Sequence, residues 1–464
     1  MSKPSPMSGF PELLPDQRFV ELHVLDRLRR VFELHGFASV ETRAVEPLDQ
    51  LLRKGETSNE VYVLRRLQAD ADDTADAGHS GIGLHFDLTV PFARYVLENA
   101  GKLEFPFRRY QIQKAWRGER PQQGRFREFT QADIDIVGKD TLAFHHDIEV
   151  ARVMSEGMAA LSDLLPAMRL QVNNRKLIQG FYAGLGATDV DSVMRVVDKI
   201  DKVPAEVVAK MLVDEAGLDY AQAKQCLALA EIRSTDTSFV ERVRALGISN
   251  DLLEEGLREL AAVIEGCASV SSDRFVVEAD LRIARGLDYY TGTVFETVME
   301  GFEGLGSICS GGRYDSLASD GRTTYPGVGI SLGVSRMLVP LLARDFLSAD
   351  RSVPSAVLVA LPDEDSRGAC DAVAQTLRAN GIPTEVADAP QKFGKQIRYA
   401  ERRGIPFVWF PGDDGSAHQV KDIRSGEQAD ADPATWRPPA QDLTPTVTSQ
   451  HVTSQPVTSQ HGDI

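Results

Sequence analysis

Cysteine is scarce and scattered in this chain. Its 464 residues include four, Cys226, Cys267, Cys309 and Cys370, with no CxxC pair among them. Such spacing encourages neither a disulfide framework nor a structural zinc site, so the thiols are expected as small buried hydrophobes or inert surface groups. Long apolar runs are missing as well. No window approaches the roughly 20 apolar residues of a membrane span, and the N-terminal "MSKPSPMSGFPELLPDQ" lacks the apolar stretch of a secretory signal. A cytoplasmic protein without a membrane partner is the expectation. The glycine-rich segment "GLGSICSGGRYD" has no GK[ST] ending and does not fit G-x-G-x-x-G opening a helix. It therefore argues against a P-loop or a dinucleotide-binding loop, and for tight turns beside a pocket.

Positive charge is in short supply overall, with 51 Lys and Arg against 68 Asp and Glu and a formal net charge of −17. With 42% hydrophobic and 26% charged residues, the composition is that of an ordinary globular protein with a sizeable core. Its length suggests roughly three domains. Overall acidity argues mildly against a nucleic-acid partner, but phosphate binding draws on local clusters. One stretch reverses the balance. Between Arg108 and Arg127 stand Arg108, Arg109, Lys114, Arg117, Arg120, Arg125 and Arg127 against the single acid Glu119. A polyanion could be held there.

Periodicity divides the chain into four parts. "QRFVELHVLDRLRRVFELHGF" has helical spacing and stops on Gly36, predicting an amphipathic helix over 17–35. An extended segment, an acidic loop and "IGLHFDLTVPFARYVL" lead to the arginine-rich hairpin, whose return arm "FTQADIDIV" alternates as a strand should. From about residue 172 to 270 the sequence turns to helical runs such as "DLLEEGLRELAAVIEG", which predict an inserted helical module. Strand patterns return at "RFVVEADL" and "TVFETVME", before a helix around "ISLGVSRMLVPLLARDF". From near Ser352, strands and helices alternate as in a small α/β domain. Its helix "KFGKQIRYAERRG" sets Lys392, Lys395, Arg398, Arg402 and Arg403 against Glu401. Beyond about residue 440 the repeated "VTSQ" reads as a disordered low-complexity tail, 441–464.

Four ordered stretches carry a family resemblance. "FRRYQIQKAWRGERPQQGRFREF" resembles the second signature of class II aminoacyl-tRNA synthetases, and "GVGISLGVSRML" their third. "RGLDYYTGTVFE" and "GGRYDSL" are similar to two blocks peculiar to histidyl-tRNA synthetases. The likeness runs from about residue 8 to 438. A lone basic hairpin is usually a solvated surface; four signatures in order leave that reading little room.

The resemblance implies an α/β fold, with an α+β catalytic domain over 1–350 built on an antiparallel sheet flanked by helices. It also implies the helical insertion and, over 351–440, an anticodon-binding α/β domain. The implied reaction joins histidine to the α-phosphate of ATP, releases pyrophosphate and transfers the histidyl group to histidine tRNA, with Mg²⁺ accompanying ATP and a homodimer as the assembly. Arginine suits such phosphates because its planar fork holds two oxygens. Arg117 and Arg285 correspond to the catalytic cations on either side of the α-phosphate, and both reach the histidine. Arg125 would contact the γ-phosphate, Phe129 and Arg336 would sandwich adenine, and Glu119 would lie near its amino group. Asp135 and Tyr290 match the groups that engage the two imidazole nitrogens, a mode of discrimination stronger than shape alone. Asp87, Thr89 and Gln131 correspond to the α-amino end, Leu88 belongs to the same histidine-binding set, and Tyr289 lines the same pocket. No protein-held metal is implied.

Three positions depart from the family pattern. Arg43 or Ala44 falls where the first signature usually has proline, Ser335 precedes the third-signature arginine in place of glutamate, and Asp87 replaces a glutamate. Two rival functions are a synthetase-like regulatory subunit of ATP phosphoribosyltransferase and a non-catalytic tRNA-binding module. The first tends to lose adenylation residues and the C-terminal domain; the second accompanies kinase signatures not found here.

Overall fold

The computed structural model describes residues 5–52, 60–66, 81–201, 203–283, 290–412 and 416–450. Its first helix, Pro15–Leu34, opens on proline, whose fixed φ suits a first helical turn. It ends just before Gly36, at φ +76°, where a side chain would be strained. Leu28 and Phe32 on its inner face are fully buried.

By internal contacts the chain forms two compact units, one from residues up to 11 and 25–340, the other from 12–24 and the described residues from 341 onward. The first unit is organised on a nine-stranded sheet among the described residues. From one edge the strands run Ala38–Ser39, Phe107–Trp116, Glu128–Val137, Thr324–Gly333, Cys309–Ser319, Tyr290–Met299, Met168–Asn174, Phe275–Asp280 and Arg233–Ser234. Pairing is antiparallel except where Ala38–Ser39 meets Phe107–Trp116 and where Met168–Asn174 meets Phe275–Asp280. The arginine-rich segment does form a hairpin, ten residues on each arm in unbroken register from Phe107 opposite Val137 to Trp116 opposite Glu128.

The helical insertion starts later than expected. Residues 168–174 are a sheet strand, and the helices begin at Arg175 and run to Cys267. Two polar residues hid the strand. Asn173 Nδ2 donates to the Ile283 carbonyl at 2.9 Å, and Asn174 Oδ1 accepts from Lys176 N–H at 2.9 Å to cap the next helix, so both are fully buried. Nor are these helices detached from the sheet, since Arg233–Ser234 extends its edge. Helices Arg175–Gly184 and Asp251–Cys267 approach so closely that a Cβ on Gly256 would lie 2.3 Å from Leu177 N.

In the second unit a five-stranded sheet is ordered Thr384–Val386, Val357–Val359, Phe407–Phe410, Gln419–Asp422 and Gln428–Asp430. Its first three strands are parallel, linked by helices Arg367–Ala379 and Phe393–Arg403, as βαβ units require. Trp409, Leu358 and Cys370 are fully buried in its core. All four cysteines are buried, and burial raises the thiol pKa in each.

The expectation of disorder from 441 needs correcting. Val447–Ser449, the first VTSQ repeat, pairs antiparallel with Leu347–Ala349, and Asp442 is buried in an ion pair with Arg424 at 2.7 Å. Sheet addition draws on backbone hydrogen bonds, which composition does not reveal. The other two repeats lie outside the described residues.

Candidate active site

The hairpin carries Arg117 just beyond its first arm and Phe129 on its second. The loop between is closed by Arg117 N–H donating to the Arg127 carbonyl at 2.9 Å, and by Gln122 and Arg125 exchanging backbone bonds of 3.2 and 2.9 Å. Gly124, at φ +72°, provides the left-handed residue of that turn. The Arg117 guanidinium is held from below by the Phe86 carbonyl, 3.0 Å from Nε, and lies 5.2 Å from the Phe129 ring centre. Glu119 stands between two cations, 3.0 Å from Arg125 and 3.8 Å from Arg117.

Arg336 reaches the same place from the start of helix Val334–Leu342, where its Nε donates to the Leu305 carbonyl at 2.9 Å. Burial lowers the Arg336 pKa, and the charges of Arg125 and Arg117 lower it further. Three guanidinium groups therefore repel one another across a space that a phosphate chain would relieve. Ser335 answers one of the departures. Its Oγ accepts from Thr130 N–H at 2.8 Å, tying the helix start to the hairpin's second arm. At another, Arg43 is paired with buried Glu46 at 3.2 Å.

Arg117, Glu119, Arg125, Phe129 and Arg336 line a cleft of about 390 Å³, along with Glu60, Asp87, Thr89, Gln131, Tyr290 and Ser331. Burial, then the nearby Glu119 charge, raises the Glu60 pKa. Thr89, Tyr290 and Ser331 also line a smaller recess, where they meet Asp133, Asp135, Tyr314 and Gly329. Asp135 is 4% exposed, so the strand does not turn it to solvent. One of its oxygens lies 2.7 Å from Arg109 Nη2, and the other accepts from the Tyr314 hydroxyl at 2.8 Å. Arg109 is itself fully buried, its guanidinium 4.2 Å above the Phe92 ring. Gly329 makes room for this arrangement: a Cβ there would fall 2.1 Å from Asp135 Oδ1. Asp87 accepts from Val90 N–H at 3.0 Å at the opening of helix Thr89–Asn99.

Thus Asp87, Thr89, Arg117, Glu119, Arg125, Phe129, Gln131, Tyr290 and Arg336 share one cleft, and Asp135 joins them through the recess. The Leu88 side chain is placed otherwise: at the N-cap of helix Thr89–Asn99 it is fully buried and lines neither space. Arg285 and Tyr289 lie outside the described residues. Sequence reasoning missed Arg109, Asp133, Ser331 and Tyr314. Tyr314 follows Arg313 within "GGRYDSL", so its signal was the block itself; a fully buried arginine gives none.

In the second unit, helix Phe393–Arg403 buries Gln396 and Ala400 and exposes Lys395, Arg398, Glu401 and Arg402. Gln396 fixes the helix by accepting from Leu361 N–H at 2.9 Å and donating to its carbonyl at 2.8 Å. The exposed residues line a groove of about 540 Å³ with Asp388 and Tyr399. Among the described residues no helix is long and apolar enough to cross a membrane.

Comparison with known proteins agrees with this geometry. The family model for histidyl-tRNA synthetase matches residues 9–337, and that for an anticodon binding domain matches 355–434. Histidine–tRNA ligase of Cutibacterium acnes is 58% identical, the match covering 96% of this chain and 99% of that protein. The enzyme of the same name from Micrococcus luteus is also 58% identical, over 96% and 99%. The crystal structure of histidyl-tRNA synthetase from Nostoc superposes with a TM-score of 0.81 at 33% identity, covering 93% of this chain and 97% of that one. On family matches that span both units and on a cleft whose arginines and buried aspartate carry the signature positions, the chain belongs to the histidyl-tRNA synthetase family.

Proposed function

We propose that the protein is a histidine–tRNA ligase. A histidine carboxylate oxygen attacks the α-phosphorus of ATP, the bond to pyrophosphate breaks, and histidyl-adenylate forms. A terminal ribose hydroxyl of histidine tRNA then attacks the acyl carbon and AMP leaves. The observation that carries this reading is a two-part chemistry: three cations in the cleft and a buried, oriented carboxylate in the recess beside it.

Arg117, braced by the Phe86 carbonyl, is preorganised toward charge that develops at the α-phosphate, so little reorganisation opposes the step. The family resemblance assigns Arg285 to the same α-phosphate. Arg125 neutralises the γ-phosphate and Glu119 meets the adenine amino group. Phe129 and Arg336 hold the ring between a π face and a cation. Asp135 and Tyr290 engage the imidazole nitrogens and Asp87, Thr89 and Gln131 the α-ammonium, while the family resemblance assigns Tyr289 to the same histidine-binding set. Glu60, a carboxylate in the cleft lining whose pKa is raised by burial and by Glu119, would be the protein group to hold a Mg²⁺ accompanying ATP, since a cation favours its charged form. When bound, the ion would offset phosphate charge.

The basic helix Phe393–Arg403 receives phosphates of the tRNA anticodon region. A homodimer and a cytoplasmic location belong to the same reading, the first tested by sedimentation. Histidine-dependent exchange of pyrophosphate into ATP tests the activity. An active exchange that no other amino acid supports is expected; exchange absent with histidine would overturn the assignment and favour a regulatory subunit.

A further inference from the structure

Behind the cleft, three side chains on two neighbouring strands form a hydrogen-bonded series. Gln131 and Asp133 alternate on Glu128–Val137, and Ser331 lies directly opposite Asp133 on Thr324–Gly333. Gln131 Nε2 donates to Ser331 Oγ at 2.7 Å, and Ser331 Oγ donates to Asp133 Oδ1 at 2.5 Å. Above about pH 7, where Asp133 is ionised, chemistry fixes this order. An ionised carboxylate only accepts, and serine has one hydroxyl proton, so the serine oxygen must receive its other bond from the amide NH₂ of Gln131.

That order leaves the Gln131 carbonyl oxygen, Oε1, with no partner among the described residues. The residue is 7% exposed and lines the cleft beside Asp87 and Thr89. A buried acceptor without a donor is costly to keep, and is matched by one that arrives with a ligand. An ammonium group supplies it. If the amide were turned over, its NH₂ would meet the ammonium instead, two donors face to face.

We propose that Asp133 and Ser331 are positioning residues that set the direction of the Gln131 amide, so that its carbonyl oxygen receives the α-ammonium of the amino-acid substrate. The proposal rests on the reading above that places Gln131 at the α-amino end.

The test uses the full chain in pyrophosphate exchange at pH 8, where Asp133 is ionised, with KM for histidine and ATP, kcat, melting temperature, and inhibition by imidazolepropionate, which is histidine without its ammonium. Ser331→Ala removes the link but keeps both neighbours, and is expected to raise the histidine KM about tenfold. ATP KM, melting temperature and imidazolepropionate inhibition stay unchanged. Asp133→Ala should raise the histidine KM with the same selectivity over ATP and imidazolepropionate, because the serine proton is then free to turn to the Gln131 carbonyl. Ser331→Thr, which keeps the hydroxyl, should restore the histidine KM. Gln131→Ala separates the two layers. If it raises the histidine KM while Ser331→Ala does not, the positioning role is overturned and the placement of Gln131 stands. If it leaves the histidine KM unchanged, both fall. Equal weakening of histidine and imidazolepropionate by Ser331→Ala would show pocket shape rather than direction, and overturns the proposal.

Discussion

Tyr314 donates its hydroxyl to Asp135 at 2.8 Å from a neighbouring part of the sheet, while Arg109 holds the other carboxylate oxygen at 2.7 Å. Neither oxygen is free to turn, and the carboxylate is presented to the recess in one orientation. Removing the phenol in Tyr314→Phe deprives a buried acceptor of a partner, at a cost of about 1–3 kcal/mol. The histidine KM should rise roughly tenfold or more while the ATP KM holds, as read in pyrophosphate exchange. Equal losses for both substrates would assign Tyr314 to the fold instead. Asp135→Asn should share the selective loss.

A second buried pair has no place in the cleft. Arg313 lies 2.7 Å from Asp147, whose side chain is fully buried and also accepts from the Thr293 hydroxyl at 2.7 Å. Taking away one partner of such a pair leaves an uncompensated charge, about 3–5 kcal/mol. Arg313→Met should therefore lower the unfolding midpoint in urea markedly and reduce histidine and ATP activities in proportion. A stable variant with a selective histidine defect would contradict that structural role.

Much of this architecture could be read from the residues, and the exceptions share a cause. Strong alternation in "FTQADIDIV" and dense charge before it marked the hairpin, because both patterns are local. Asn173 and Asn174 masked a strand because their polarity is satisfied by a carbonyl and a helix start that lie elsewhere in the fold. Arg109 sits one residue from Arg108 in a basic run, yet it is fully buried and serves Asp135, whereas Arg108 is half-buried and pairs with Glu149 at 2.7 Å. Charge patterning counts both as surface. Ser331 likewise has meaning only through the strand opposite.

Asp133 gives a pH signature. Burial foremost pushes its carboxyl from the ordinary 3.8 to about 7, against the pull of Arg109 and the Ser331 hydrogen bond. The folded state thus holds this proton more tightly than the unfolded chain. Its contribution to stability is most favourable below about pH 4, declines as pH rises through the interval to about 7, and is flat above. Asp133→Asn removes that slope. Relative to the parent, the variant should gain stability between pH 4 and 7, measured by denaturant midpoints at each pH; a constant difference would refute the assignment.

The C-terminal correction can be tested by two truncations. Ending the chain at residue 440 removes Asp442, which pairs with Arg424 and whose carbonyl accepts from buried Arg351 at 2.8 Å, and also removes the strand Val447–Ser449. Ending it at 450 removes none of the described contacts. Calorimetry should show a lowered transition for the first truncation and none for the second. Identical transitions in both would mean that the added strand contributes no stability.

Arg117 offers the sharpest test of the chemistry. Its guanidinium is braced by the Phe86 carbonyl and faces Arg125 and Arg336 across the cleft, so it is already in place when charge accumulates at the α-phosphate. Losing one preorganised donor of that kind commonly lowers the rate 10²–10³-fold, about 3–4 kcal/mol. Arg117→Ala also relieves part of the repulsion that lowers the Arg336 pKa, and leaves Arg125, Arg336 and Phe129 to hold the nucleotide. The expected result is a kcat for exchange reduced by that factor, with an ATP KM changed only a few-fold and an unaltered melting temperature. Arg117→Lys should recover little, because a single ammonium cannot span two phosphate oxygens. If instead the ATP KM rises as steeply as kcat falls, Arg117 binds the ground state as strongly as the transition state, and the catalytic assignment must move to another cation.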